Sequence, residues 1–281
     1  MIYMPDSLIE YYLLEDISMG DLTTRSLGLH GKPGRMTFTN RRPTTTSGIK
    51  LSERLLNKLG LKVTAALADG MNITEPQVLL CAEGDIAALH QGWKAAQNIL
   101  EWSCGVAHAA SELVQQARTQ NPQVQIACTR KSSPGTRLLP TAAILDGGAI
   151  IHRAGCAETI LLFANHRHCL PQPFDWQQHI EQLRHSAPEK KVIVEADSMS
   201  ETELAIKAKP DIIQLDKFSP QQILEALNLA AQLDFQGQLI AAGGINRSNI
   251  QDYAATGVPV LLTSSPYYAN PADIKVTLKP D

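Results

Sequence analysis

The sequence predicts an α/β protein in which an open or incomplete parallel barrel follows an α+β region. The first observation is that short apolar, β-branched runs alternate with helical segments beyond Pro122, a pattern typical of a parallel sheet covered by helices. The second is their number, because six such runs occupy about 140 residues, whereas a complete eight-stranded barrel needs about 200 or more. The third is that no GxGxxG motif follows a strand, which weakens the alternative of a doubly wound dinucleotide-binding sheet.

The first hundred or so residues have the mixed pattern of an α+β domain. A short amphipathic helix is predicted over residues 5–14, where Pro5 and Asp6 suit a first helical turn. Strand patterns follow at residues 34–40, 61–68 and 76–82, and Asp69-Gly70 marks a turn. Residues 86–117 are helix-rich, with an interruption predicted near Cys104-Gly105. We therefore expect an N-terminal domain over residues 1–107.

The second half of the chain carries the predicted barrel, over residues 108–265. Its strands are predicted at residues 124–128, 159–163, 192–195, 212–215, 238–242 and 258–263. Helices are predicted between them, for example at residues 200–208, 220–233 and 246–256.

Composition and charge exclude several classes of protein. The formal net charge is 25 − 28 = −3 with neither end strongly one-signed, which argues against a nucleic-acid-coating protein. The five cysteines include no CxxC pair and mostly lie in or beside apolar runs, which predicts reduced, buried thiols. No basic n-region opens the chain and no uncharged apolar run approaches 18 residues, so neither a signal peptide nor a membrane span is expected. We expect a cytoplasmic protein.

Chemically competent groups follow the predicted strands. In order along the chain they are Arg130 and Lys131, Asn165, Glu195, Asp216, Gly243-Gly244, and Ser264-Ser265. Side chains at the carboxyl ends of parallel strands converge on one mouth, so acids, cations and small-residue turns are expected in a single pocket.

Basic residues cluster after the first predicted barrel strand. The segment TRKSSPGTR carries Arg130, Lys131 and Arg137 around a Pro-Gly turn, and guanidinium and ammonium groups suit carboxylate and phosphate ligands. A solvated loop is the alternative. His152-Arg153 follows an apolar pair and could add a hydrogen-bond donor and a further charge to the same anion. The alternative is that these two residues are exposed at the surface and bind nothing.

Two carboxylates and a glycine turn complete the predicted pocket. Glu195 and Asp216 each end an apolar strand, where one Mg²⁺ ion and ribose hydroxyls would satisfy both acids. The alternative is a structural ion pair with Lys131 or Lys217. Gly243 and Gly244 would let backbone N–H groups approach a phosphate, with Asn246 as a helix N-cap and residues 263–265 completing the cradle.

Taken together, these segments resemble the quinolinate phosphoribosyltransferase family, also called nicotinate-nucleotide pyrophosphorylases, over essentially the whole chain. EDISMGDLTT at residues 15–24 looks like the opening signature of that family. TRKSSPGTR resembles its TRKTTPG-type motif and IIHRAG its NHR-G motif. VEADS, QLDKF and the Gly-Gly turn follow in matching order and spacing.

The resemblance implies an N-terminal sandwich domain joined by residues 266–281, an incomplete α/β barrel, and a homodimer with a shared active site. It implies a pentosyltransferase, that is a glycosyltransferase, that moves a phosphoribosyl group from phosphoribosyl pyrophosphate (PRPP) to a pyridine nitrogen with Mg²⁺ and then decarboxylates the product. The implied roles are carboxylate binding by Arg130 and Arg153, pyrophosphate contact by Lys131 and His152, ribose or Mg²⁺ binding by Glu195 and Asp216, 5′-phosphate binding by Gly243, Gly244 and Ser264, and a partner-subunit cation at Lys94.

Several positions depart from the family pattern. A family Leu-Ile-Lys-Asp-Asn-His run is here LLFANH, so the lysine expected to pair with a second acceptor carboxylate is Phe163 and the following acid is Ala164. A glutamate and a serine before the double glycine are Ile240 and Ala242, and an asparagine after the second acid is Lys217. These departures resemble ModD-type pyrophosphorylases, relatives associated with molybdate transport genes.

The lost charge partner favours an acceptor that is less acidic than quinolinate or differently shaped, because a buried unpaired charge costs about 3–5 kcal/mol. Two other functions stay open. One is a non-catalytic phosphosugar sensor or carrier on the same fold. The other is a Schiff-base lyase that uses Lys131 or Lys217.

Overall fold

The computed structural model describes residues 2–281, which form two compact units. The first unit contains the chain up to Ser111 together with Ser132–Gly148 and Pro266–Asp281, and the second contains Glu112–Lys131 and Ala149–Ser265. The sequence assigns residues 132–148 to the barrel domain, whereas this division groups them with the first unit. The physical reason is that Leu139 is buried in the hydrophobic core of the first unit, and Ser47 Oγ donates a hydrogen bond to Asp146 Oδ2 (2.7 Å).

The first unit is built on an antiparallel sheet with helices. Numbering all elements in chain order, it contains α1 (Asp6–Ile17), α2 (Leu22–Ser26), β1 (Pro33–Asn40), β2 (Thr44–Thr45), α3 (Ile49–Lys58), β3 (Lys62–Ala66), β4 (Asn72–Ile73), β5 (Val78–Asp85), most of α4 (Ile86–Gln120), α5 (Leu138–Asp146) and β13 (Ile274–Pro280). Its four-stranded sheet has the order β13-β1-β5-β3, and β2 pairs with β4. The C-terminal strand β13 thus lies beside β1, antiparallel to it.

The predicted interruption of the helix near Gly105 is wrong, because α4 is one continuous helix of 35 residues. Gly105 serves close packing instead of breaking the helix. A Cβ atom at this position would lie 2.4 Å from Asn270 O and 3.1 Å from Pro271 Cα, and side-chain atoms do not approach backbone atoms so closely. Glycine is therefore required at position 105 by the neighbouring backbone.

The second unit is an open barrel of parallel strands, as the sequence predicts. Its elements are β6 (Gln125–Cys128), β7 (Ile150–Ile151), β8 (Ile160–Leu162), α6 (Ala164–Arg167), α7 (Trp176–Ser186), β9 (Val192–Ala196), α8 (Met199–Ala208), β10 (Ile212–Asp216), α9 (Pro220–Gln232), β11 (Gln238–Ala242), α10 (Ile250–Ala254) and β12 (Val260–Thr263). The seven strands follow the order β7-β6-β12-β11-β10-β9-β8, and the neighbouring strands pair in parallel. Strands β7 and β8 form the two edges of the open barrel.

Burial and capping explain why the second unit forms these elements. The strands are almost wholly apolar and buried, which suits a sheet covered on both faces. Helix α9 begins with a capping box in which Ser219 Oγ accepts from Gln222 N–H and the Gln222 side chain accepts from Ser219 N–H. Helix α8 is capped by Ser198, whose Oγ accepts from Glu201 N–H (3.3 Å).

Three of the five cysteines are buried. Cys81, Cys104 and Cys128 are buried, and burial raises the pKa of Cys104 and Cys128 to about 12. The expectation of buried thiols does not hold for Cys156 and Cys169, which are exposed because they lie in loops.

Within residues 2–281, the helices are all too short or too polar to cross a membrane.

Candidate active site

The carboxyl ends of the barrel strands lie along one edge of the sheet, and hydrogen bonds join neighbouring ends. The Thr129 N–H after β6 donates to Thr263 O of β12 (3.0 Å), and Thr263 Oγ1 donates to Ile245 O after β11 (2.7 Å). The Lys217 N–H after β10 donates to Ala242 O of β11 (2.7 Å). The groups that end or follow these strands therefore share one edge, the usual place for an active site in parallel α/β folds.

Ten of the predicted site residues belong to this edge of the second unit. They are Arg130, Lys131, His152, Arg153, Phe163, Glu195, Asp216, Gly243, Gly244 and Ser264. The other two, Lys94 and Arg137, belong to the first unit. Lys94 is exposed on α4, where its Nζ donates to Gln97 Oε1 (3.1 Å). Arg137 precedes α5 and is also exposed.

Glu195 is a half-buried carboxylate held by a side chain from the next strand. Gln214 Nε2 donates to Glu195 Oε2 (2.8 Å), and the two residues are partners in the β9–β10 register. Burial raises the pKa of Glu195, and the negative charge of Asp216 raises it further. Two carboxylates that repel one another in this way are stabilised by a cation or by hydroxyl donors between them.

The ligand chemistry of this pair fits a magnesium ion that is also bound by substrate oxygens. Mg²⁺ commonly takes one or two protein carboxylates and completes its shell with water and phosphate oxygens. Residues 2–281 contain no group of three or more His, Cys, Asp or Glu side chains able to hold a metal by themselves. The predicted alternative of an ion pair is also present, because Lys217 Nζ lies 3.5 Å from Asp216 Oδ2. The Lys217 side chain is 82% exposed, so this pair contributes little.

A cavity of about 660 Å³ is lined by Arg130, Arg153 and Phe163 among others. Arg153 is 8% exposed, and burial lowers its pKa, as does the positive charge of Arg130. The Arg153 guanidinium lies over the Phe163 ring, 5.6 Å from its centroid, and no ion pair of Arg153 is found among residues 2–281. A buried guanidinium that lacks an ion-pair partner favours an anionic ligand.

His152 lies next to these cations and is half-buried. Burial lowers the pKa of His152, and Arg153 lowers it further, so the neutral imidazole is favoured at neutral pH. Its Nε2 atom is buried and lacks a hydrogen-bond partner within the described chain. The imidazole is thus expected to form a hydrogen bond with a ligand, and the neighbouring Arg153 carries the positive charge.

The glycine turn after β11 adopts a backbone that other residues rarely adopt. Gly243 and Gly244 have φ angles of +91° and +73°, and a Cβ atom on Gly243 would lie 2.7 Å from the Lys217 backbone nitrogen. Space is open around Gly244. Ser264 follows β12 at the same edge and is half-buried. The arrangement leaves room for a phosphate beside this turn.

The prediction that Asn246 caps a helix is wrong. Helix α10 begins at Ile250, and Asn246 instead organises the preceding turn. Asn246 Nδ2 donates to Gly244 O (2.9 Å), and Asn246 Oδ1 accepts from Ser248 N–H (2.9 Å). A short asparagine side chain competes well for such local backbone hydrogen bonds, which postpones the start of the helix.

Two residues of the site were not identified from the sequence. Gln214 stands two positions before Asp216, so strand alternation places both on the same face, which is the signal that could have indicated it. Arg167 is 1% exposed, its Nη1 donates to Glu195 O (3.0 Å), and its Nη2 to Glu201 Oε1 (2.6 Å). The Arg167 guanidinium also lies over the Trp176 ring at 4.0 Å. Nothing local in the sequence distinguishes this buried arginine from its exposed neighbours.

Comparisons with known proteins match nearly the whole chain. The model of the quinolinate phosphoribosyl transferase N-terminal domain matches residues 21–104, and that of the C-terminal domain matches residues 106–277. A ModD pyrophosphorylase of Escherichia coli O6:H1 is 50% identical over 280 residues, covering 100% of this chain and 99% of that protein. One from Rhodobacter capsulatus is 40% identical, with 89% and 95% covered. A carboxylating nicotinate-nucleotide pyrophosphorylase of Methanocaldococcus jannaschii is 28% identical, with 88% and 87% covered.

Solved structures show the same fold. The nicotinate-nucleotide pyrophosphorylase of Ehrlichia chaffeensis superimposes with a TM-score of 0.90 at 23% identity, covering 99% of this chain and 100% of that chain. The corresponding protein of Francisella tularensis gives a TM-score of 0.89 at 23% identity, with 99% and 98% covered. At this level of identity the similarity establishes the architecture of the two units.

Proposed function

Because the chain belongs to the quinolinate phosphoribosyl transferase family and is a ModD-like pyrophosphorylase, we propose that it transfers the phosphoribosyl group of PRPP to a ring nitrogen of a heterocyclic acid less acidic than quinolinate. The observation that carries the proposal is the placement of the buried Arg153 guanidinium and the Glu195–Asp216 pair at one sheet edge. The Arg153 guanidinium suits an acceptor carboxylate, and the Glu195–Asp216 pair suits a phosphosugar with several hydroxyls.

In this proposal the sugar phosphate lies across the middle of the sheet edge. Backbone N–H groups at Gly243 and Gly244, with the Ser264 hydroxyl, bind the 5′-phosphate. Glu195 and Asp216 accept hydrogen bonds from the ribose hydroxyls and would also hold Mg²⁺. When bound, Mg²⁺ neutralises charge that develops on the leaving pyrophosphate.

The reaction needs positioning more than an activated protein nucleophile. The lone pair of the acceptor nitrogen forms a bond to C1 of the ribose, the C1–O bond to pyrophosphate breaks, and its electron pair leaves with pyrophosphate. Arg130 and Arg153 orient the acceptor through its carboxylate, which holds the nitrogen against C1. Lys131 and the neutral His152 donate hydrogen bonds to the pyrophosphate oxygens.

Isothermal titration with PRPP and Mg²⁺, followed by a pyrophosphate-release assay, tests this function. We expect binding below millimolar PRPP and release that depends on a heterocyclic acid. No PRPP binding at millimolar concentration would contradict the proposal. Binding without pyrophosphate release across pyridine, pyrimidine and purine acids would favour a phosphosugar carrier.

We also propose that the active protein is a homodimer in which Lys94 of one subunit reaches the site of its partner. The support is a set of exposed apolar side chains in the N-terminal part of the first unit, where Tyr3 is 80%, Met19 86% and Leu22 65% exposed. Protein interfaces commonly cover exposed apolar side chains. Sedimentation equilibrium of the wild-type protein and of Leu22→Glu tests it: a monomeric wild type would contradict the proposal.

We further propose that the protein is linked with molybdate transport. This link rests on the similarity to ModD pyrophosphorylases. A strain that lacks the gene should grow more slowly than its parent on limiting molybdate and recover with excess molybdate. Equal growth of the two strains on limiting molybdate would remove the link.

A further inference from the structure

The cavity beside Arg153 has charge at one wall and an aromatic ring at another. Arg130 and Arg153 form the charged wall and are close enough for the charge of Arg130 to lower the pKa of Arg153. Two neighbouring guanidiniums match one carboxylate group, which has two oxygens and about four acceptor sites. The charged wall therefore accounts for a single acceptor carboxylate.

Phe163 provides the aromatic wall. Its ring lies 5.6 Å from the Arg153 guanidinium and stacks on the His166 ring, with centroids 5.7 Å apart and planes at 25°. The His166 ring is itself held in place, because its Nδ1 accepts a hydrogen bond from the Phe163 N–H (3.1 Å). An aromatic wall beside a carboxylate site favours a planar ring, and the Phe163 ring itself offers no partner to a second negative charge.

A further cation that lines the cavity, Lys190, lies towards the amino end of β8. Lys190 is next to Lys191, whose carbonyl accepts from the Ile160 N–H at the amino end of β8. Phe163 is three residues further along, which is about 10 Å at the usual rise of a strand. The residues that line the cavity include no Asp or Glu that could bind a cationic substituent instead.

We propose that the acceptor is a planar nitrogen heterocycle with one carboxylate, that Phe163 excludes a second carboxylate, and that the transfer proceeds without loss of CO₂. This deepens the proposed function and rests on it. Release of CO₂ from a ring carbon next to the reacting nitrogen requires a carboxylate at that carbon. An acceptor whose one carboxylate is bound by the two arginines keeps it, so the products are the acceptor nucleotide and pyrophosphate. The volume of about 660 Å³ accommodates such a ring.

Binding of matched acids to the full chain tests the selectivity independently of PRPP. The probes are pyridine-3-carboxylate, pyridine-2,3-dicarboxylate and pyridine-3-carboxamide, with the corresponding pyrimidine acids, measured by calorimetry. We expect the monocarboxylate of at least one ring to bind at least about tenfold more tightly than its dicarboxylate and its amide. Tighter binding of the dicarboxylates, or no binding of any probe at 5 mM as about the upper practical limit, would overturn the proposal.

Two variants at position 163 separate charge from shape. Phe163→Lys should bring the dicarboxylate to at least the affinity of the monocarboxylate, because the added ammonium pairs with the second charge. Phe163→Leu, which removes the ring without adding charge, should keep the monocarboxylate preference. If Phe163→Lys folds poorly, Phe163→Gln provides an uncharged donor and should narrow the difference. An unchanged dicarboxylate affinity in a folded Phe163→Lys variant would contradict the role of Phe163.

Turnover with PRPP and Mg²⁺ then distinguishes a failure of this inference from a failure of the proposed function. Pyrophosphate release with the monocarboxylate and no CO₂ supports both. CO₂ released in step with pyrophosphate overturns the present inference and leaves the transfer itself standing. Selective binding of the monocarboxylate without any pyrophosphate release would contradict the proposed function, while the selectivity of the cavity would stand.

Discussion

Gln214 donates a hydrogen bond from Nε2 to Glu195 Oε2 over 2.8 Å, and it does so from within the sheet, where it is 6% exposed. Its other amide atom, Oε1, is buried without a hydrogen-bond partner in the described chain. An amide that donates to a carboxylate stabilises the ionised form of that carboxylate. Gln214 therefore opposes the effects of burial and of Asp216, which raise the pKa of Glu195.

Gln214→Leu should move the acid limb of the kcat/KM profile to higher pH. Removing the donor raises the pKa of Glu195 further, so the ionised carboxylate that binds ribose or Mg²⁺ is lost at a higher pH. Activity at pH 6 should fall more than activity at pH 8. The control is Gln238→Leu, which changes an exposed glutamine at the amino end of β11. Equal loss at both pH values would indicate a merely structural role of Gln214.

Glu195→Gln and Asp216→Asn should each lower pyrophosphate release by at least about 100-fold without unfolding the chain. The pKa of Glu195 is raised in the folded state, so the stability that this group contributes is complete below its ordinary pKa and is lost as pH rises through the raised value. Glu195→Gln should therefore become more stable relative to wild type as pH increases from 4 to 8. Thermal melts and activity assays on both variants check this, and full activity in either one would remove the assigned role.

Arg167→Met should destabilise the second unit by about 3–5 kcal/mol, because it leaves Glu201 without its buried partner. The variant also loses the hydrogen bond to Glu195 O, so activity should fall with stability. Urea unfolding measures the first effect. The double variant Arg167→Met with Glu201→Gln should recover part of the lost stability, since it no longer buries an unpaired charge. A loss below about 1 kcal/mol in the single variant would contradict the description of this pair as buried.

Gly105→Ala should destabilise the protein by about 1–3 kcal/mol, because the new methyl group would overlap Asn270 O and displace backbone. The matched control is Gly155→Ala, where no heavy atom lies within 4 Å of the added Cβ. The control should change the free energy of unfolding by less than about 0.5 kcal/mol. Denaturant unfolding of the two variants side by side provides the comparison, and an unchanged Gly105→Ala protein would refute the packing argument.

Lys217→Asn should stabilise the protein by up to about 1 kcal/mol. Lys217 has a φ of +61°, a left-handed backbone that asparagine tolerates better than lysine does. Lys217→Met keeps the unfavourable backbone and removes only the charge, so it separates strain from the exposed pair with Asp216. Thermal melts should show a gain for the asparagine variant alone. A gain of the same size in both variants would assign the effect to charge.

The barrel could be predicted from the sequence because its strands are strongly apolar and are separated by helix patterns. Six of the seven strands were predicted to within a few residues, while β7 was missed because two residues give no periodic signal. Most candidate residues could be predicted because side chains at the carboxyl ends of parallel strands converge at one edge of a sheet. This argument needs no structure. It missed Gln214 and Arg167, since partners that support a carboxylate through the sheet depend on register and burial and carry no motif of their own.

The two wrong predictions at Gly105 and Asn246 have a common origin. The interruption expected at Gly105 and the cap expected at Asn246 both follow from local preferences of these residues. At Gly105, close approach of the residue 270–272 backbone decides the outcome, and a helix that is favoured elsewhere along its length continues. At Asn246, competing hydrogen bonds to Gly244 and Ser248 decide it.

Helix α4 also limits how this protein can be divided. Its 35 residues span about 52 Å at 1.5 Å per residue, and the two matched domain regions meet inside it, between Cys104 and Val106. Genes for the two halves, split at that point, would produce polypeptides with new helix ends that lack four backbone partners each. A boundary at residue 105 therefore separates the two matched regions without separating the two compact units, because the first unit also contains α5 and β13.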